Sequence, residues 1–484
     1  EAIAYFLRDY GCDLYYNNSL KFQTTGGGIS VAGIVTATSF NGVGISSTAS
    51  YPNFRPTLDL NFAAVKKLDP RIKYERTGPA SYTDENGLVK IVGANTPRFD
   101  HDPVTRESKG LLIEEARTNI FASSDPAHSV WTRSPIGTYC FGNTTDTKDP
   151  AGTYTAAKLM SAPVAGSDSQ IYDNTGLSNG GVQSFWAKKG THNVIGIWDF
   201  SGGGGVRAWY DLNTGEHRCE GGSKVAAGVQ SEGNDNNDSW MIEYPNGWYR
   251  CIYYEAANMT YCHLRICDFD SDTEASASSN SVYLWGLQAE SGASVKHVTS
   301  FIPCDTGLMP GTISRGADNA YMDAIGDSFY NQDEGSVIVE YNYTQDYDGA
   351  HTIFAITGTE ADPTASDPRQ WLRINKTAGT PNTIRYSLTN SGSSTSDDTS
   401  SAVATPGQWE KFAFAYTAGD QDLYLNGSSV NDLARTPPTN SYRLAFGNVG
   451  WDLGVESIML EGHIKRFIYY SKKLSNNQLD NLTS

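Results

Sequence analysis

Three observations predict an all-β protein. The 484 residues include 28 Tyr, 18 Phe and 10 Trp beside 48 Gly, a composition that fits pleated, half-buried surfaces joined by tight turns. Apolar residues recur at every second position, or run unbroken for the length of a strand, along most of the chain. Helical patterning is convincing only at the C-terminal end, Ser475-Asn-Asn-Gln-Leu-Asp-Asn-Leu482, where Ser475 can cap and Leu479 and Leu482 share one side. The length exceeds one ordinary core. The expected order is a self-associating β-stalk at 1–50, a small β connector at 51–118, and two antiparallel β-sandwiches at 119–310 and 311–484.

The stalk assignment rests on Leu14 to Gly42, which read LYYNNSLKFQTTGGGISVAGIVTATSFNG. Leu20-Lys-Phe22 and Ile29-Ser-Val31 alternate as short strands, and Gly26 to Gly28, Gly33 and Gly42 supply corners where positive φ is free. Full burial of Leu20, Phe22, Ile29, Val31, Ile34, Val35 and Phe40 would still not offset the entropy of ordering the segment. Further copies of the same stretch would supply the missing contacts.

Ser46 to Pro56, rich in Ser, Thr and Pro, reads as a linker. The connector's strands are Arg71-Ile-Lys-Tyr-Glu75 and Leu88-Val-Lys-Ile-Val92, with the turn Asp84-Glu-Asn-Gly87 lying between them. In the first sandwich, Gly181 to Ala187, Asn193 to Trp198 and Val206 to Tyr210 are strands separated by polar, glycine-bearing loops. In the second, Gly335 to Tyr341, Gln370 to Asn375, Thr383 to Leu388 and Gly407 to Tyr416 behave alike, and Asp420 to Gly427 is a strand entering a turn.

Several of these stretches resemble elements common in bacteriophage tail-fibre and receptor-binding proteins. Leu14 to Gly42 is similar to the repeated "LYYDNSxKFxTTxxGxxVxG…ATSFxG" element of intertwined three-chain stalks. Ser81-Tyr-Thr-Asp-Glu-Asn-Gly87, Arg98-Phe-Asp-His-Asp-Pro-Val104 and Gly110-Leu-Leu-Ile-Glu-Glu-Ala-Arg-Thr-Asn119 match "ATYxDxxG…PRFDHDPVTGExxGLLxEExRTNL", with Arg106 where glycine is usual. Pro245-Asn-Gly-Trp-Tyr-Arg250, Ser281 to Gly292 and Thr299-Ser-Phe-Ile-Pro303 resemble the closing strands of carbohydrate-binding jelly rolls in the same proteins, and Ser314 to Ala320 echoes the bridge that follows them. Leu460 to Ser475 resembles the last strand of laminin-G-like and concanavalin-like lectin sandwiches.

The resemblance implies a homotrimer with jelly-roll and lectin-like domains, made in a host cytoplasm and carried on the virion beside other tail proteins. Its implied work is attachment to a host-surface glycan, lipopolysaccharide or capsule. A polysaccharide-cutting tailspike and a purely structural fibre are the alternatives. The formal net charge of −18 argues against a nucleic-acid partner, whose affinity would rest on clustered Lys and Arg. No apolar run is long enough to span a membrane, and EAIAYFLRDYGC at the start carries neither a basic leader nor a small-residue cleavage site. The cysteines, at 12, 140, 219, 251, 262, 267 and 304, lack a CxxC spacing and read as buried thiols.

No residue is assigned a catalytic role. Glu114 and Glu115 are adjacent, so a strand would aim them at opposite sides. Asp100 and Asp102 share a side but sit with His101 in a motif that reads as structural. GxSxG, P-loop and HExxH signatures are absent from the sequence. Sugar sites on sandwiches use loop-proximal aromatic rings flanked by polar groups. The candidates are Trp198 and Asp199, Trp209, Trp240, Tyr347, and Trp451 and Asp452. Trp186, Trp248, Trp285 and Trp409 lie in strand patterns and are expected in the core. No cofactor is required, and calcium is the one cation considered, on Asp268, Asp270 and Asp272.

Overall fold

The computed structural model describes residues 4–7, 11–16, 19–25, 28–31 and 51–484, apart from 164–165, 167, 178–179, 199–206, 234–236, 258, 274–278, 293–297, 305–310, 345–348, 359–368, 377–382, 391–393, 434–440 and 450–458. Two compact units are present, 1–49 and 50–484. The first is an antiparallel meander of Ala4–Leu7, Gly11–Tyr16, Ser19–Thr25 and Gly28–Val31, whose strands pair in sequence order within the chain. The alternations at Leu20–Phe22 and Ile29–Val31 both fall inside strands. None of the side chains described in this unit is buried, and Leu14 is 38% exposed. The meander therefore lacks an apolar core among its described residues. The remaining apolar positions of the expected stalk, Ile34, Val35 and Phe40, lie outside the described residues.

The second unit is all antiparallel β. Within it, Gln170–Leu177, Met259–Ile266, Val194–Trp198 and Ala208–Asp211 are neighbours in one seven-stranded sheet, and Ser281–Ser291, Gly181–Lys189, Trp248–Glu255 and Asn237–Tyr244 are neighbours in another. These sheets close on a shared core that includes Phe121, Trp131, Phe185, Ile195, Tyr210, Met241 and Leu264. The C-terminal sandwich is built likewise around Val337, Phe354, Phe412, Phe446 and Phe467.

The connector is not a separate module, and this corrects the expected division at residue 118. Leu58–Asn61 pairs with Gly462–Tyr470, Ser108–Ile113 pairs with the same strand, and Lys73–Glu75 pairs with Asn319–Met322. Leu58, Leu60, Phe62, Leu111 and Ile113 thus complete the C-terminal core. The first sandwich is an insertion in that domain, its entry and exit tied by the two-stranded ribbon of Arg117–Asn119 and Ile313–Arg315. The turn at Asp84 to Gly87 reverses Ala80–Thr83 onto Val89–Val92, so the hairpin partner of the latter is not Arg71 to Glu75.

Local chemistry explains the tight places. Gly110 has φ +82, and a Cβ there would stand 2.4 Å from the carbonyl oxygen of Ile464, so the strand crosses its neighbour only as glycine. Arg106, at the position where the resembling motif carries glycine, has φ 63. The turn holds it there because Asp102 Oδ1 accepts from Val104 N at 2.9 Å and Thr105 N at 2.8 Å. The C-terminal helix Asn476–Thr483 carries a capping box between Ser475 and Gln478, as its sequence suggests, and buries Leu479. The seven cysteines form no disulfide in this structure and are buried except for half-buried Cys12. Among the described residues no helix is long and apolar enough to cross a membrane.

Candidate functional site

The motifs that stand apart in the sequence meet at the junction of the two sandwiches. Arg98 donates to Glu114 Oε2 at 2.6 Å, to Ser300 Oγ at 2.6 Å, to the carbonyl of Ser81 at 3.0 Å, and to Asp318. Arg315 reaches Glu114 Oε2 at 2.8 Å and donates to the carbonyl of Glu115 at 2.7 Å. The other Glu114 oxygen accepts from Ser300 N at 2.7 Å. Asn119 donates to the carbonyls of Leu287 at 3.1 Å and Ile302 at 2.9 Å, and accepts from Ala289 N at 3.0 Å. One buried ionic network thus joins segments 98–119, 281–303 and 314–318. Each charge is matched by geometry, as its burial demands.

Five acids (Glu114, Glu115, Glu290, Asp318 and Glu461) and four arginines (76, 98, 117 and 315) share this region. Arg315 and Arg98 hold the Glu114 carboxyl well below the ordinary carboxylate range despite its burial. Burial, with the charge of Glu114 beside it, pushes Glu461 the other way, to about 8. Glu461 accepts from the amide of Glu115. At neutral pH the region therefore keeps one carboxyl protonated.

That proton has a measurable consequence. Between about pH 4.5 and pH 8 the unfolded chain has lost the Glu461 proton while the folded chain keeps it, so this group lowers stability as pH rises through that window. His217 and His263, lowered by burial to about 4, act oppositely and lose stability as pH falls from 6.5 to 4. The difference between wild type and Glu461→Gln isolates the carboxyl. In urea titrations the variant should gain on wild type as pH rises from 5 to 8, by a few kcal/mol at about 1.4 kcal/mol per pKa unit. A difference independent of pH would refute a protonated Glu461.

Above the network lies a crevice of about 780 Å³ between the sandwiches. Its floor is the outer face of the sheet containing Gly181–Lys189. Trp285, Trp186, Arg250 and Ile242 stand in one row across four adjacent strands, and Ser184, Ile252 and Trp240 in the next. The facing wall comes from the hairpin at Tyr82 and Thr83, from Asp100, and from His463 of the C-terminal sandwich. Asp100 accepts from Thr83 N at 2.7 Å and lies 2.9 Å from His463 Nε2, which keeps its pKa low against burial. His101 is buried on the carbonyl of Thr83 at 3.2 Å, the structural place its motif suggests.

Of the sugar-site candidates, Trp240 alone among the described residues lines this crevice, half-buried. Trp198 and Trp209 belong to the opposite sheet of the same sandwich. Trp198 lies 4.5 Å from the ring of His263 with the Arg265 guanidinium 4.3 Å from its centroid. Trp209 is nearly buried, donating to the carbonyl of Ser271 at 2.7 Å. The structure does not bring these two to Trp240. Asp199, Tyr347, Trp451 and Asp452 lie outside the described residues. Trp186, Trp248 and Trp285 are buried as expected, whereas Trp409 is half-buried with Lys465 Nζ 4.7 Å from its ring. Asp270 pairs with Arg218 at 3.1 Å and Asp268 lies 4.0 Å from His192. No three acidic, His or Cys groups among the described residues gather where a metal would sit.

No family model and no curated relative matches the chain. Among solved structures it is similar to domain 4 of AbnA, a GH43 extracellular arabinanase from Geobacillus stearothermophilus in complex with arabinotriose, at 16% identity and TM-score 0.27 over 35% of this chain and 73% of that one. It is also similar to the CBM40 of the Ruminococcus gnavus IT-sialidase bound to α2,3 sialyllactose, at 17% identity and TM-score 0.27 over 32% of this chain and 84% of that one. Sheep galectin-11 in complex with glycerol matches at 14% identity and TM-score 0.20, over 28% of this chain and 89% of that one. Each likeness reaches about a third of the chain and is too loose to assign what the crevice holds.

Proposed function

We propose that the chain is the receptor-binding part of a trimeric phage tail fibre, which attaches the virion to a host cell by holding a surface glycan in the crevice between its sandwiches. The observation that carries this reading is the crevice itself. One sheet face offers the half-buried ring of Trp240 beside polar groups of Thr83, Ser300 and His463, the pairing of an apolar plane and hydrogen-bonding groups that a pyranose requires. Its walls are set by the motifs that resemble phage attachment proteins. Three such sites on one stalk would gain avidity without new contacts.

Binding without cleavage is the favoured reading. A glycosidase needs one carboxyl that carries a proton near neutral pH beside a second that does not. Of the crevice acids Asp100, Glu114 and Glu232, the first two are held ionised by their partners. Glu461, which does carry a proton, is not among the crevice-lining residues. The test is a glycan array with the whole chain, repeated with EDTA, followed by incubation of any bound polysaccharide and assay of new reducing ends. Binding that is unaffected by EDTA and yields no new ends is expected. No binding at micromolar chain would overturn the adhesin, and new reducing ends would replace it with a depolymerase.

A further inference from the structure

Arg250 stands out on the crevice floor. Its side chain is 5% exposed, and among the described residues it has no carboxylate within ion-pair distance. One hydrogen bond holds it, from the guanidinium to Ser184 Oγ at 3.1 Å, and the guanidinium carbon lies 4.4 Å from the centroid of the Trp186 ring. Arg250 Nε and Trp186 Nε1 are both buried donors without an acceptor. A buried cation in this condition is costly unless an anion arrives to meet it.

The neighbouring acids are already committed. Glu114 is shared by Arg98 and Arg315, Glu290 faces Arg117 and accepts from Thr299, and Asp100 is engaged by Thr83 and His463. The net effect of burial on Arg250 is to draw its pKa below the ordinary arginine value, which fits a guanidinium with no close counter-ion.

We infer that the crevice recognises an acidic sugar, whose carboxylate is received by Arg250 and Trp186 Nε1. This rests on the glycan reading above and names its ligand class. The planar fork matches a carboxylate in geometry. One unmatched positive charge also suits a monoanion better than a doubly charged phosphate, which Asp100 and Glu114 in the same walls would repel. The inference accounts for how a chain of net charge −18 takes an anionic polymer: the attraction is local and desolvated, where screening is weak.

The test uses the full chain against a panel of polygalacturonate, alginate, hyaluronan and polysialate, each beside its carboxyl-reduced form, with a phosphate-bearing polysaccharide as a further arm. At least one acidic polymer should bind, and carboxyl reduction or Arg250→Met should each weaken it by about tenfold or more. Methionine keeps the packing on Trp186, and removing an unmatched buried charge should leave the melting temperature unchanged or raised. A purely structural arginine would instead lower the melting temperature and leave the acidic-to-neutral ratio alone. Equal binding of native and reduced polymers, or a preference for the phosphate-bearing one, overturns the inference while leaving glycan binding intact. Failure of every polymer, acidic and reduced, overturns both.

Discussion

Glu114→Ala is expected to destabilise the 50–484 unit by about 3–5 kcal/mol, because it removes the shared partner of two buried arginines. Arg98 and Arg315 are fully buried, and both lean on Glu114 Oε2. Without it, Arg98 keeps Asp318, while Arg315 retains only neutral acceptors such as Thr299, Ser300 and the carbonyl of Glu115. The loss also releases Ser300 N, so the segment that closes the first sandwich comes loose from the C-terminal one. Urea unfolding should show the change, and glycan binding should fall with it because this network sets the crevice walls. Asp59→Asn, which breaks the exposed pair with Arg466 at 2.7 Å, is the matched control and should cost about 1 kcal/mol or less. Equal effects from the two substitutions would show that the network does not hold the sandwiches together. The wild-type network should also weaken in acid. Glu114, with its folded-state pKa below the ordinary 4.5, contributes stability above that pH and loses it as pH falls further.

The all-β class, most strands and the capped C-terminal helix were legible in the sequence because they depend on local pattern. Gly181–Lys189 and Glu410–Thr417 lie within a few residues of where alternation and apolar runs put them. The role of the connector was not legible. Leu58–Asn61 pairs with a strand some four hundred residues away, and nothing local in Leu-Asp-Leu-Asn announces that partner. The buried network shows the same limit from the other side. Glu114, Asn119, Gln288, Glu290, Thr299 and Arg315 all belong to recognisable motifs, but only the fold shows that those motifs describe one junction. Trp240 was reachable as a loop-proximal ring. Arg250 was not, since an arginine inside Trp-Tyr-Arg-Cys-Ile-Tyr gives no local sign that its counter-ion is missing.

Deleting residues 1–49 is expected to leave a folded monomer that binds cells weakly. The sheets and cores described for 50–484 close among their own strands, so nothing in their packing requires the first unit. That unit pairs its four described strands but buries none of their described side chains, which leaves apolar groups such as Leu20 and Phe22 in search of cover. Copies of the chain would bury them about a common axis. Light scattering should therefore give a trimer for the whole chain and a monomer for the deletion, with unchanged thermal unfolding of the sandwiches. Cell binding should fall by about 10²–10⁴, the usual range for avidity when three linked sites become one, while affinity for a short soluble glycan stays the same. If the deletion remained trimeric, the contacts that assemble the trimer would have to lie on the sandwiches, and their outer faces would then be interfaces rather than open ground for sugar.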